Sequence, residues 1–172
     1  MITAADILGV MPQAGRRADT FMQPLNDAMD AWEIDTPARQ AAFLAQIAHE
    51  SGQLRYVREL ASGEAYEGRK DLGNTQAGDG VRFKGRGLIQ VTGRANYKAC
   101  GDALMLDLLA DPVLLETPQN AAMSAGWFWK THGCNELADS GNFERLTRRI
   151  NGGLNGQADR VAFWDRAKEL LC

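Results

Sequence analysis

Hydrophobic residues recur along most of this sequence at the three- and four-residue spacing of helices that bury one face. Two such stripes follow a Thr-Pro pair, in which Thr can cap a helix and Pro can occupy its first turn. The stripe after Thr36-Pro37 is stopped by Ser51-Gly52, and the stripe after Thr117-Pro118 is stopped by Gly133. Their apolar positions are Phe43, Leu44, Ile47 and Ala48 in the first, and Ala121, Ala125, Phe128 and Trp129 in the second.

Three further stripes, within residues 21–32, 143–150 and 161–171, have the same period. Pro24 lies in the first of them and predicts a kink or a late helix start. Long alternation of the strand type is absent. The pattern therefore predicts a mainly α-helical fold that forms a single domain over residues 1–172.

Residues 62–87 break this pattern with glycines at 63, 68, 73, 78, 80, 85 and 87. A long Gly-rich connection inside a compact domain is usually either functional or disordered. We expect a loop here, with at most a very short β-hairpin.

Composition narrows the possible partners. The chain has 172 residues, 45% of them hydrophobic, and a formal net charge of −3, so no overall basic field points to nucleic acid. No apolar run is long enough for stable membrane insertion. The first residues lack a basic region and Asp6 interrupts any apolar one, so no signal peptide is predicted and synthesis in a bacterial cytoplasm is expected. Three cysteines without close spacing predict free, partly buried thiols.

Glu50 is the first candidate for chemistry. It lies three residues after Ile47 and seven after Phe43, on the apolar edge of its helix, and in the last turn, where the helix dipole disfavours negative charge. Both effects favour the protonated carboxyl that a general acid requires. The alternative is an ordinary surface glutamate at a frayed helix end.

Glycoside hydrolysis requires a second carboxylate. Glu59 follows Arg55 and Arg58 in the segment 54–60, and these two arginines would keep it ionised as a base. Glu64 and Glu67 remain open as alternatives, and so does a plain surface ion pair at Glu59.

Other chemistries have weaker support. His49-Glu50 is not followed by the second histidine of an HExxH motif, and two histidines are too few for the usual zinc sites. A nucleophilic Cys100 or Cys134 paired with a histidine stays open, although no local motif supports it. Gly85-Arg86-Gly87 is too short for a phosphate loop. We predict no metal and no cofactor.

Three blocks resemble glycoside hydrolase family 19, which comprises the plant-type chitinases and related phage endolysins. Ala48-His49-Glu50-Ser51-Gly52 is similar to the family's His-Glu-Thr/Ser block. Residues 83–97 resemble its aromatic-x-Gly-Arg-Gly-x-x-Gln segment ending in Asn-Tyr, and residues 150–153 with Asp159-Arg160 resemble its Ile-Asn-Gly-Gly and Asp-Arg blocks. The blocks occur in the family's order over roughly residues 37–170.

The resemblance implies a lysozyme-like or chitinase-like helical domain that hydrolyses β-1,4-linked N-acetylated sugars with inversion. Glu50 would be the acid, Glu59 the base, and Thr92 the hydroxyl that helps to hold the attacking water. An inverting pair should stand about 6.5–9.5 Å apart to leave room for that water. The substrate-binding or supporting positions implied are His49, Arg86, Gln90, Asn96, Tyr97, Asn151 and Arg160, with amides for polar groups and the tyrosine ring for a sugar face.

The sequence departs from the plant pattern at two points. The plant disulfides are absent, and Asn155 stands where plant chitinases carry a glutamate after Ile-Asn-Gly-Gly-Leu. In addition, basic residues cluster in the candidate cleft region, which favours peptidoglycan with its peptide carboxylates over neutral chitin unless nearby Asp71, Asp79 and Glu64 pair with them. The cluster consists of Arg55, Arg58, Arg69, Lys70, Arg82, Lys84, Arg86, Arg94 and Lys98.

We therefore expect a monomeric endolysin that cleaves peptidoglycan glycan strands after holin-dependent release, without a separate cell-wall-binding domain. The alternatives are a chitinase of the same family and a catalytically silent wall-binding module. Which glycosidic bond is cut stays open at this point.

Overall fold

The structure is a computed structural model that describes residues 1–172 and contains nine α-helices. The helices are α1 (Ala4–Val10), α2 (Arg17–Ala31), α3 (Pro37–Glu50), α4 (Asp79–Arg82), α5 (Arg94–Leu104), α6 (Pro118–Thr131), α7 (Cys134–Asp139), α8 (Phe143–Asn151) and α9 (Gln157–Leu171). Strand pairing is limited to two isolated antiparallel bridges, Arg58 with Arg86 and Arg86 with Val91. The prediction of a mainly helical fold with almost no β-structure is confirmed. None of the nine helices combines the length and apolar character needed to cross a bilayer.

The two Thr-Pro pairs begin helices as predicted. The Thr36 hydroxyl accepts a hydrogen bond from the Arg39 N–H at 3.2 Å, and the Thr117 hydroxyl accepts one from the Asn120 N–H at 3.3 Å. Each bond satisfies an N–H of the first turn that has no partner inside the helix. Helix α3 ends at Glu50, directly before Ser51-Gly52, so the carboxyl proposed as the acid is the last helical residue.

Pro24 does not delay the start of α2. The helix begins at Arg17 and continues through Pro24 to Ala31, so the predicted late start is wrong. Proline removes one N–H from the helical ladder, and helix packing can offset a loss of that size. Phe21 and Leu25, on either side of it, are buried in the core and hold the segment in place.

The buried apolar side chains form two clusters. The larger one is built mainly from α1, α2, α3, α6 and α9, with α3 packed along α9 and α2 packed along α6. The smaller one surrounds Phe83 and Tyr97, and the partly buried Trp32 and Phe128 contact both clusters. Glu50 stands on a helix of the larger cluster, whereas Gln90 and Thr92 flank Val91 of the smaller one. The candidate site therefore lies where the two clusters adjoin.

The Gly-rich segment is ordered by polar contacts. Both Glu67 carboxylate oxygens accept backbone N–H groups, from Gly78 at 2.7 Å and from Gly80 at 2.8 Å. The buried Asp79 carboxylate accepts two bonds from Arg94 of α5, at 2.6 and 2.9 Å. These contacts fasten the loop to the rest of the chain.

We expect Asp79→Asn to lower the free energy of unfolding by about 2–3 kcal/mol at neutral pH, toward the lower end for breaking a buried pair because Arg94 is partly exposed. The Arg94 guanidinium lowers the pKa of the Asp79 carboxyl below its usual range. A lowered folded-state pKa stabilises the protein above the unfolded value of about 4, and this contribution is lost as the pH falls through the folded value. Urea unfolding at about pH 7 and about pH 3 should therefore show a difference in unfolding free energy between wild type and variant that is smaller at the lower pH.

Asp102→Asn, which breaks the exposed pair with Lys98, is the control and should lower the unfolding free energy little. An equal gap at both pH values would show that the ion pair is not the source of the stability.

Candidate active site

Backbone pairing brings two separate segments of the chain together at the site, residues 57–59 and residues 85–91. The Glu59 N–H donates to the Gly85 carbonyl at 2.9 Å, and the Gly87 N–H donates to the Val57 carbonyl at 2.9 Å. Arg86 and Val91 exchange two further backbone bonds, of 3.1 and 2.8 Å. The segment that carries Glu59 is thereby fixed in register against the segment that leads to Gln90 and Thr92.

The two oxygens of the Glu59 carboxylate have different surroundings. Oε2 accepts hydrogen bonds from the Tyr66 hydroxyl at 3.1 Å and from the Gly85 N–H at 3.0 Å. Oε1 is buried and has no hydrogen-bond partner in the protein. Burial raises the pKa of the Tyr66 hydroxyl, and the Glu59 charge and hydrogen bond raise it further, so the phenol stays protonated and donates. One oxygen is thus held in place, while the other keeps lone pairs that no protein group uses.

Gly85 allows this arrangement because it has no side chain. A Cβ at this position would lie 2.7 Å from Glu59 Oε2 and 2.5 Å from Gln90 Oε1. Carbon atoms do not approach oxygens that closely, so any larger residue would displace both side chains.

Gly85→Ala is accordingly expected to reduce turnover at least tenfold, because a displacement of about 1 Å in a catalytic group costs up to a hundredfold. The loss should appear mainly in kcat. Gly68→Ala is a demanding control, since no atom lies within 4 Å of its Cβ position but its φ, unlike that of Gly85, is positive and adds backbone strain. Steady-state kinetics with both folded variants makes the comparison, and normal turnover by Gly85→Ala would contradict the tight packing described here.

Glu50 is paired with a buried arginine from α9. Arg160 Nη2 lies 2.6 Å from Glu50 Oε1, an ion-pair distance, although the N–H direction is not aligned for a hydrogen bond. Arg160 is fully buried and also donates to the Gln46 side chain and the Asn155 carbonyl. Gln46 in turn donates to the Thr147 hydroxyl at 3.0 Å. The sequence placed Glu50 on the apolar edge of its helix but gave no indication of Arg160. This arginine places a positive charge beside the candidate acid.

His49 precedes Glu50 and pairs with the residue that precedes Arg160. Its Nδ1 lies 2.7 Å from Asp159 Oδ2. The ring lies over Gly156, where a Cβ would come within 2.0 Å of it. The helix that carries Glu50 is therefore joined to α9 by two adjacent contacts.

The alternative bases are placed differently from Glu59. Both oxygens of Glu67 are occupied by backbone N–H groups of the loop. Glu64 is exposed, and its carboxylate makes no hydrogen bond or ion pair in the protein. Glu59 is the only one of the three with a carboxylate oxygen that is both buried and free. These surroundings favour Glu59 as the base.

Gln90, Thr92 and Asn96 line a small cavity of about 60 Å³, together with the aromatic residues Trp127 and Phe128. The Asn96 side chain donates to the Thr92 carbonyl at 2.8 Å. The Thr92 hydroxyl makes no hydrogen bond within the protein and is available to a water molecule. The predicted roles of Gln90, Thr92 and Asn96 stay predictions, and the structure groups them together.

Three predicted substrate contacts need correction. Tyr97 is fully buried against Phe83, so the prediction that its ring meets a sugar is wrong. Arg86 is 7% exposed and is held by Glu116 at 2.8 Å and by the Tyr97 hydroxyl at 3.0 Å. Arg160 is enclosed behind Glu50. All three support the site from within and do not reach the substrate. Asn151, in contrast, is exposed at the last position of α8.

Fewer side chains of the basic cluster carry an unpaired charge than the sequence indicated. Most of its members are satisfied by carboxylates or by backbone carbonyls: Arg69 by Asp71, Arg86 by Glu116, Arg94 by Asp79, Lys98 by Asp102, Arg82 by Leu109 and Ala110, and Lys84 by Ala61. Arg58 lies 3.7 Å from Glu116. Arg55 and Lys70 remain exposed, without a carboxylate within ion-pair distance.

The cysteines do not supply a nucleophile. All three are free thiols, as predicted, with Cys100 and Cys134 buried and Cys172 exposed. Burial raises the pKa of the Cys100 and Cys134 thiols to about 12, which keeps them in the unreactive neutral form.

Tyr66 and Glu116 are the two site residues that sequence reasoning missed. Tyr66 holds Glu59, and Glu116 neutralises the buried Arg86. Neither belongs to a recognisable block, and each contacts its partner only through the fold. The only sequence feature that could have indicated either residue was the position of Tyr66, an aromatic residue inside the Gly-rich segment.

Comparison with known proteins places this geometry in a family. Residues 28–142 match the family 19 glycosyl hydrolase model, described as "Chitinase class I". A glycosyl hydrolase family 19 domain-containing protein of Haemophilus influenzae is 35% identical over 157 residues, which cover 73% of this chain and 76% of that protein. An endochitinase of Arabidopsis thaliana is 39% identical over 128 residues, but the match covers only 44% of the plant protein. The chain thus spans less than half of that plant relative.

Solved structures agree with this placement. Chitinase C from Streptomyces griseus superposes with a TM-score of 0.80 at 27% identity, covering 99% of this chain and 76% of that one. A bacterial family 19 chitinase gives a TM-score of 0.81 at 29% identity, with 99% and 94% covered. The fold is the lysozyme-like helical fold of these neighbours. The chain belongs to glycoside hydrolase family 19 and is a glycoside hydrolase.

Proposed function

We propose that this enzyme hydrolyses β-1,4 bonds of peptidoglycan glycan strands with inversion, as an endolysin that lyses its host bacterium after release through a holin. The observation that carries the mechanism is the Glu59 carboxylate, held through Oε2 and unbonded at Oε1. A base must be fixed in direction and must keep one lone pair for the proton of the attacking water. Glu59 meets both requirements.

In this mechanism Glu59 Oε1 takes a proton from water as the oxygen attacks the anomeric carbon. Glu50 gives its proton to the departing glycosidic oxygen on the opposite side of the sugar. Glu50 becomes negatively charged in this step, and Arg160 Nη2, 2.6 Å away, stabilises that charge. Thr92, with its free hydroxyl, is proposed to help hold the attacking water.

Peptidoglycan is proposed as the substrate because Arg55 and Lys70 keep exposed, unpaired positive charges, in sequence beside the segments that carry Glu50 and Glu59. Chitin is neutral, whereas the peptide stems of peptidoglycan carry carboxylates. Chitin hydrolysis is the second candidate, since several relatives bear the name endochitinase.

Digestion of purified sacculi, followed by mass spectrometry of the fragments, tests the proposal. Soluble glycan fragments are expected, and the sugar at the new reducing end identifies the bond that is cut. Proton NMR of the first product should show the α-anomer if the reaction inverts. Cleavage of chitin oligomers with no release from sacculi would overturn the peptidoglycan assignment in favour of chitin.

A further inference from the structure

An open depression of about 560 Å³ lies beside the candidate acid and is not part of the catalytic machinery described above. We call it the arginine pocket, and its lining includes Arg17, His49, Gln53, Arg55, Tyr56 and Asp159. His49 directly precedes Glu50 on α3, and Asp159 directly precedes Arg160 on α9. The pocket therefore borders the contact between His49 and Asp159, each of which directly precedes one member of the Glu50–Arg160 pair in sequence.

The pocket contains two guanidinium groups with unused donors. Arg17 Nη2 donates to the Gln13 carbonyl at 2.6 Å, but Arg17 Nε is buried without any partner. Arg55 lies with its guanidinium carbon 5.2 Å from the centre of the Tyr56 ring and makes no hydrogen bond or ion pair in the protein. The only carboxylate in the lining, Asp159, is already engaged by His49. The pocket thus has surplus positive charge.

A buried N–H without a partner is costly, so Arg17 Nε is a donor that the protein itself leaves unused. Guanidinium groups match carboxylates in both charge and geometry. Gln53 and Tyr56 add polar atoms to the same wall. The chemistry of the lining therefore fits an anionic, peptide-like ligand better than a neutral sugar.

We propose that the arginine pocket binds a carboxylate of the peptide stem attached to the glycan strand. This inference rests on the proposed peptidoglycan substrate and adds a contact outside the sugar-binding cleft. A stem carried by a sugar near the cleaved bond would place its carboxylate between Arg17 and Arg55 while the glycosidic oxygen reaches Glu50. The pocket would then distinguish peptide-bearing glycan from bare glycan.

Kinetics on three substrates test this role: intact peptidoglycan, glycan strands from which an amidase has removed the peptides, and chitin oligomers. Arg17→Gln and Arg55→Gln should each raise KM on intact peptidoglycan about tenfold, the scale of one charge-assisted hydrogen bond, with kcat unchanged. Neither variant should differ from wild type on the stripped strands or on chitin. Arg145→Gln removes the same charge at an exposed position outside the pocket and should behave as wild type on all three.

Each other outcome has a defined meaning. If the pocket variants match Arg145→Gln on intact peptidoglycan, the inference is wrong while the proposed function stands. If the effect persists on stripped strands, the pocket binds the lactyl carboxylate that remains on the sugar, and the peptide assignment is wrong. If the wild-type enzyme cleaves chitin but neither form of peptidoglycan, the proposed function fails and this inference fails with it. Arg55 is exposed and makes no hydrogen bond or ion pair in the protein, so its variant stays informative even if Arg17→Gln folds poorly.

Discussion

Glu59→Gln is expected to lower glycan hydrolysis about 100- to 10,000-fold, the range typical for removal of a general base, while the protein stays folded. Glutamine has the shape of glutamate, and its amide oxygen can still accept the bonds from Tyr66 and Gly85. Its NH₂ group would then occupy the position of Oε1, where it can donate a hydrogen bond but cannot take a proton. The initial rate of sacculus digestion, together with thermal melting followed by circular dichroism, measures both quantities.

Two comparisons sharpen this experiment. Glu64→Gln removes an exposed loop charge and should leave the rate within about twofold of wild type. Azide, a nucleophile that needs no base, should partly restore turnover to Glu59→Gln and give an inverted glycosyl azide. Full activity of Glu59→Gln, or loss of activity in Glu64→Gln instead, would move the base to another residue of the Gly-rich segment.

How much of the fold could be predicted from the sequence depends on how far apart in the sequence the interacting residues lie. The starts of α3 and α6 were predictable because Thr36 and Thr117 act on N–H groups three residues away. Helices α1, α4, α5 and α7 were not predicted, because they are short or have few buried positions. Only Tyr97, Cys100 and Gly101 are buried in α5, which is too sparse a pattern to reveal an apolar face.

In the candidate site, too, local features could be predicted from the sequence and long-range contacts could not. Glu50 was proposed from a helix end and a block similar to a known family, and Glu59 from its neighbouring arginines and the second carboxylate that the resemblance implies; both catalytic roles stay predictions. The roles of Tyr97 and Arg86 were misjudged because a motif gives residue identity but not burial. Tyr97 donates its hydroxyl to the Lys84 carbonyl at 2.5 Å and accepts from Arg86, contacts that depend on how α5 packs against the Gly-rich segment. Such long-range pairing has no local spacing from which it could be predicted.

Substitutions of Glu50 and Arg160 separate the chemical role proposed for the acid from the structural role of its partner. Glu50→Gln removes the transferable proton and should reduce hydrolysis of natural glycans about 100- to 10,000-fold, with little change in melting temperature. Its amide oxygen can still face Arg160, so the buried network with Gln46 survives. Arg160→Met should instead lower stability by about 3–5 kcal/mol, because it leaves Glu50 without its cation and Gln46 without a donor.

A substrate with a good leaving group makes this distinction decisive. Nitrophenolate leaves without protonation, so Glu50→Gln should release it from the nitrophenyl glycoside of a peptidoglycan oligosaccharide at close to the wild-type rate. The same variant should remain almost inactive on natural glycans. Arg160→Met should be impaired on both substrates, since its defect lies in the position of the helix end and not in the proton. Arg166→Met, on the same helix but exposed, is the matched control and should change neither rate nor stability appreciably. Equal impairment of Glu50→Gln on the two substrates would mean that Glu50 acts through its contact with Arg160, and the acid would have to be sought elsewhere.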